Sequence, residues 1–189
     1  MKVASNCIVL FTAVAIIITN LLTLTFSQSY PTVNKSKTNE VIGYFRGKNN
    51  LEDKFFSSQA KIHLKDVKSL IVGIFCIDVS SILLALALAA YLINNQKFVD
   101  LKKAVITGSL ITIILVLVAL ILSFLNFEFF FIKFHEIIFR NNYWLFSPED
   151  NLVKIFPEEF FISSCIAVNF SSAICTICTH IERAVIYCH

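Results

Sequence analysis

Four stretches of this chain stay apolar for the length of a membrane crossing, about 20 helical residues for a hydrocarbon core of roughly 30 Å, and the charges crowd between them. The first runs from Cys7 to about Ser27 without a charge. The second, from about Ser69 to Ile93, is interrupted only by Asp78. The third, from Ala104 to about Phe127, is rich in Ile, Leu and Val. The fourth, from Phe160 to about Ile181, carries Ser163, Ser164, Asn169, Ser171 and Thr176 among its apolar residues. Small hydroxyl residues of that kind suit a helix packed on other helices. The pattern predicts an all-α integral membrane protein. Its four transmembrane helices, near residues 7–27, 69–93, 104–127 and 160–181, form a single membrane domain over residues 1–189. The first run is longer than a signal-peptide core and no small-x-small cleavage pattern follows it, so it reads as a retained anchor.

Four spans put both ends of the chain on one side. Lys2, Lys97, Lys102, Lys103 and Arg183 are then cytoplasmic, and the loops near 28–68 and 128–159 face outward from the cell membrane. The first outer loop is itself rich in lysine, so the positive-inside rule separates the two orientations only weakly. The composition agrees with a membrane protein: 57% of residues are hydrophobic and only 15% charged, outside the usual soluble range. A net charge of +3 carries no signal for nucleic acid. Four scattered glycines form no phosphate-binding loop, which excludes a P-loop enzyme or transporter. The six cysteines fall mostly in or beside the proposed spans and imply no disulfide framework. Cys175-Thr176-Ile177-Cys178 with His180 lacks a second partner cluster, and packing is the preferred reading over a redox or zinc site.

Two polar clusters stand at the outer boundary. Lys61-Ile62-His63-Leu64-Lys65-Asp66-Val67-Lys68 leads into the second span. With Ser58 as N-cap and no Gly or Pro in the way, the helix starts outside and continues inward. His63 and Asp66, at i and i+3, share a face. A carboxylate there fixes the imidazole tautomer and raises its pKa above about 6.5. The plainer reading is a solvated helix end. The second cluster, Phe127 to Arg140, predicts an interfacial amphipathic helix with Lys133, Glu136 and Arg140 on one face and His135 among Phe131, Ile138 and Phe139 on the other. Tyr143 and Trp144 follow as headgroup-level anchors. Ser147-Pro148-Glu149-Asp150 reads as a turn or a capped short helix, and Glu158 and Glu159 sit where acidic residues complement a helix dipole. Asp78, ionisable within a span, is either functional or hydrogen-bonded to Ser or Asn of the fourth span.

His63-Leu64-Lys65-Asp66-Val67-Lys68 at the head of the second span resembles the lipoprotein intramolecular transacylase family, Lit, of Gram-positive bacteria. So do Phe134-His135-Glu136-Ile137-Ile138-Phe139, Trp144-Leu145-Phe146 with Pro148, and Phe156-Pro157-Glu158-Glu159-Phe160-Phe161. The first outer loop and the chain are short for the family, and the polar fourth span has no match. The resemblance implies an acyltransferase that moves the sn-2 acyl chain of a diacylglyceryl cysteine onto the α-amino group of that same cysteine, leaving a lyso-form lipoprotein. The implied partners are the amino terminus of a diacylated lipoprotein and membrane lipid, with no cofactor. The oligomeric state is left open.

Such a transfer needs little beyond positioning and proton management. Nucleophile and ester belong to one molecule, and an ester-to-amide shift runs downhill, so neither ATP nor an acyl-enzyme is required. A base takes a proton from the ammonium, and a second group stabilises the oxyanion and protonates the leaving glyceryl oxygen. On this reading the catalytic residues are His135 as base, His63 as acid or oxyanion partner, and Asp66 as the group that orients His63; the two histidine roles are interchangeable at this level. A non-enzymatic four-helix carrier or assembly protein, and a hydrolase that releases the acyl chain to water, are the competing classes.

Overall fold

A computed structural model describes residues 2–26, 34–52, 54–161 and 163, and the described residues are all-helical. The elements are α1 (Lys2–Phe26), α2 (Lys35–Phe45), α3 (Ser58–Asn94), α4 (Phe98–Leu125), α5 (Phe127–Ile138) and α6 (Asn151–Ile155). Helical residues resume at Glu158, so Glu158 and Glu159 do occupy a first turn. The expected fourth span, Asp78's expected partners there and the Cys175–Cys178 motif lie outside the described residues.

Among the described residues three helices, α1, α3 and α4, are long and apolar enough to cross a membrane. From Ala104 onward α4 carries no charge, and large residues on α3 and α4 such as Val72, Phe75, Leu83, Leu115 and Phe124 stand exposed. In water that surface is a liability; in lipid it is the favoured one. The first helix lies between the other two, packing along both, while α3 and α4 touch each other much less. Gly108 lets α1 and α4 close up, since a Cβ there would stand 2.8 Å from the Val9 carbonyl oxygen. Beside it Ser109 and Thr112 are buried, and the Thr112 hydroxyl donates to the Gly108 carbonyl at 2.9 Å, so it is satisfied within its own helix. At one end of the bundle Ile8, Leu92 and Ala104 join α1, α3 and α4 in a small apolar cluster. The α3–α4 connection there is a tight C-cap in which Gln96 takes φ 57°, with Lys97 N–H bonded to Leu92 O and Gln96 N–H to Ile93 O.

Asp78 is buried between helices, and its partner is Thr19 on α1, whose hydroxyl lies 3.0 and 3.2 Å from the two carboxylate oxygens. The partner comes from the first span because that helix sits at the centre of the described bundle.

The opposite end carries α2, α5, α6 and the extension of α3. At about 1.5 Å per residue the 37 residues of α3 span roughly 55 Å, far more than a hydrocarbon core. Its first turns, through Lys68, therefore project beyond the core, as the uninterrupted sequence predicts. The N-cap is Ser57 rather than Ser58, its hydroxyl accepting from Ala60 N–H. A helix not read from the sequence, α2, packs over this extension. Val41, Phe56, Ala60, Leu64, Leu152 and Ile155 form a compact apolar core from α2, the head of α3 and α6. Hydrogen bonds close the structure: Ser57 Oγ to Asp150 Oδ2 at 2.9 Å and Asn151 Nδ2 to Phe55 O at 2.9 Å. Residues 147–150 form a turn, with Asp150 as the N-cap of α6. Pro148 lies in that turn, not in a helix.

The third span stops two residues earlier than its apolar run. Asn126, with extended backbone, ends α4 and caps α5, its side-chain oxygen accepting from Phe129 N–H at 3.0 Å. A hydrogen-bonding side chain at that point offers the backbone an alternative to continuing the helix. The chain thereby turns off the bundle into α5.

Candidate active site

The site is built where α5 passes the projecting head of α3. In α5 the Lys133–Glu136 pair at 2.7 Å marks the polar face. The helix ends at Ile138, so Arg140 is not on that face as expected but in the bend that follows. His135 sits in the last turn on the inward face, buried at 8% exposure. His63, two turns into α3, is buried to the same degree. Their rings lie 6.0 Å apart, centroid to centroid. Two residues distant in sequence are thus brought together by the approach of α5 to the head of α3.

Aromatic rings enclose the pair. Phe131 lies 4.0 Å and Trp144 5.1 Å from the His135 ring. Phe139 touches both imidazoles, at 5.1 Å from His63 and 5.5 Å from His135, and Phe146 closes the far side of His63 at 5.6 Å. Tyr143 is exposed, as an interfacial anchor would be, but Trp144 is not such an anchor. Its ring is 8% exposed and forms a wall of the site, because the segment 139–146 folds back over the histidines instead of lying along the surface. Gln59 on α3 holds that segment, donating to the carbonyls of Tyr143 at 3.3 Å and Leu145 at 2.7 Å. Sequence reading passed over Gln59 and Asn141, whose roles depend on a loop returning to α3; the only advance signal was the density of Phe and Trp around His135.

Asp66 is near but does not orient His63 in the expected way. Its Oδ2 accepts from Asn141 Nδ2 at 2.9 Å, while His63 Nδ1 is buried with no hydrogen-bond partner among the described residues. The expected rise in the His63 pKa is also reversed. Burial pulls the imidazole down from 6.5 to about 4; neighbouring His135 adds to the drop, and the Asp66 carboxylate opposes it without prevailing. Loss of water around the ring outweighs one carboxylate at this distance. His135 is lowered too, by burial, against the opposing pull of the Phe131 carbonyl. Both imidazoles are therefore neutral at pH 7.

One tautomer follows from geometry. His135 Nδ1 lies 2.8 Å from Phe131 O. A carbonyl oxygen only accepts, so Nδ1 carries the proton and Nε2 of the neutral ring is left with its lone pair. Such a ring is a base in waiting, and the enclosure keeps it deprotonated. Among the described residues no group of three metal-binding side chains gathers.

Comparison with known proteins agrees with this architecture. The structure of the membrane integral lipoprotein intramolecular transacylase Lit from Bacillus cereus superposes with a TM-score of 0.81, covering 98% of this chain and 95% of that one at 23% identity. Two variants of the same Bacillus cereus protein, with one histidine changed to arginine or to alanine, each superpose with a TM-score of 0.75 at 22% identity. They cover 98% of this chain, and 92% and 93% of their own lengths. No curated protein matches the chain. The family model described as lipoprotein intramolecular transacylase Lit matches residues 3–161, a stretch that holds every element described above, both histidines and the ring of aromatic side chains around them. This chain therefore belongs to the Lit family of lipoprotein intramolecular transacylases, and it is a membrane-integral acyltransferase.

Proposed function

We propose that the chain moves the sn-2 acyl group of a diacylglyceryl cysteine onto the α-amino group of the same cysteine, with His135 as general base and His63 as oxyanion donor and acid. The observation that carries this reading is the pairing of two neutral imidazoles, 6.0 Å apart, with complementary hydrogen-bonding edges. His135 presents an unprotonated Nε2, because Nδ1 donates to Phe131 O. His63 buries a partnerless Nδ1. A buried donor left without an acceptor is rarer than an acceptor left without a donor, which favours a bare Nδ1 and an Nε2–H free to donate. One ring accepts and the other donates, which is the division that acyl transfer needs.

The proton balance closes without an outside reagent. The substrate ammonium gives one proton through His135 to solvent, and the amine attacks the ester carbonyl while His63 donates to the developing oxyanion. The N–C bond forms, the glyceryl C–O bond breaks, and the nitrogen's second proton ends on the glyceryl oxygen. An aromatic enclosure that excludes water favours the amine over water as nucleophile, which argues against a hydrolase.

The same proposal places the site at the outer face of the cytoplasmic membrane, where diacylated lipoproteins display their amino termini, with membrane lipid as the medium. It completes the bundle with a fourth span near 160–181, in one membrane domain. Expression in a strain that makes only diacyl lipoproteins, followed by mass spectrometry of the modified cysteine, tests it. Lyso-form product is expected, and His63→Ala or His135→Ala should each lower its rate by about 100-fold to 10,000-fold while the protein still inserts. Free fatty acid with no N-acyl cysteine would mean hydrolysis, and full activity in either variant would refute the two-histidine assignment.

A further inference from the structure

Beside the histidine pair, an open groove of about 290 Å³ lies between the head of α3 and the segment that follows α5. Asp66 and Ser69 form one wall, Phe139, Arg140 and Asn141 the other. Phe139 is shared, one side lining the groove and its ring touching both imidazoles. The groove is open to the surface, and Phe139 is the residue it shares with the surroundings of the two imidazoles.

The charges in it are held ready for a ligand. Asp66 has no ion-pair partner among the described residues; its single side-chain contact is Asn141, which donates to Oδ2. Asn141 is fixed in turn, its Oδ1 accepting from Tyr143 N–H at 3.1 Å. Arg140 lines the same groove and makes no ion pair with Asp66. A carboxylate and a guanidinium on a shared cavity without pairing to each other present separate sites for a cation and for an acceptor oxygen. The amino terminus of a peptide offers both, an α-ammonium followed by a carbonyl oxygen.

We propose that this groove seats the amino terminus of the lipoprotein substrate, with the Asp66 carboxylate as counter-ion to its α-ammonium and Arg140 receiving the first peptide carbonyl. The inference rests on the transfer reading above and gives Asp66 a role of its own: it binds the nucleophile instead of orienting His63. After one proton leaves, the amine remains hydrogen-bonded to Asp66 through a remaining N–H. On this proposal the carboxylate favours a free amino terminus, since an acylated one carries no cation to bind.

Two non-transferable probes test this on the full-length protein: a dialkyl-ether analogue of the diacylglyceryl-cysteinyl peptide with a free amino group, and its counterpart lacking that group. In competition with the natural substrate, the protein should bind the amine-bearing ether roughly 10-fold to 100-fold more tightly. Asp66→Asn, which preserves the shape and an oxygen for Asn141, should abolish most of that preference. An unchanged preference in Asp66→Asn, or none in the unaltered protein, overturns the inference. Lyso-form product from the natural substrate is measured in the same preparations. Product from the unaltered protein with no effect of Asp66→Asn on the affinity ratio sinks this inference alone, while no product from the unaltered protein sinks the transfer reading together with it.

Discussion

The chemistry open to the two histidines is set by the way each ring is hidden. Burial depresses both imidazoles, and His63 feels His135 as well, so that its value falls to about 4. Removing the neighbour should let His63 climb. In His135→Ala its titration, followed by NMR of histidine-labelled protein in detergent, is expected to move upward, since both repulsion and enclosure are relieved. A midpoint near 6.5 in the unaltered protein would contradict the burial. The same depression ties stability to pH. An unfolded His63 takes up its proton near 6.5, whereas the folded one resists until about 4. The stabilisation from keeping it neutral is therefore present above pH 6.5 and lost as pH falls from there towards 4. The base form of His135 likewise persists below 6.5, where an exposed imidazole would already be charged.

Helices are joined here by small residues and caps. The close approach of α1 to α4 depends on Gly108, since the nearest obstacle to a Cβ is backbone, Val9 O at 2.8 Å, which cannot swing aside. Gly108→Ala should force the helices apart and cost about 1–3 kcal/mol, read as a lower thermal midpoint in detergent, even though alanine is the better helix former. No loss would mean that the helices already have slack. Asn126 does a different job, diverting the chain from α4 into α5 and so aiming His135 at His63. The local sequence held that signal in a single polar residue within an apolar run, too slight to override the hydrophobic pattern when read alone.

Across the whole molecule, α1 holds α3 and α4 together, and the ends of α1, α3 and α4 nearest α2, α5 and α6 share one side of the bundle. With the site outermost, Lys48→Cys and Glu149→Cys should both react with a membrane-impermeant thiol reagent applied to intact cells. Labelling of both only after the inner face is opened would reverse the orientation. The two positions lie on separate loops, 46–52 and 147–150, that the compact apolar core around Phe56 and Ile155 draws together, so they should report the same side.

The first three spans, the projection of α3 and the two histidine clusters were legible in the sequence, because each depends on local properties: hydrophobic length, helix continuity and residue spacing. The family was legible too, through motifs that stay contiguous in the chain. Long-range contacts decided the rest. Whether Asp66 would reach His63 depended on Asn141, which arrives from the far end of α5. Whether Trp144 would face lipid depended on a loop folding back to Gln59. The sign of the His63 shift depended on how much water the aromatic walls exclude, since a carboxylate three residues away raises a solvated imidazole and fails to raise one so deeply dehydrated. Spacing along a helix measures proximity; desolvation is a property of everything packed around the ring, and only the tertiary structure sets it.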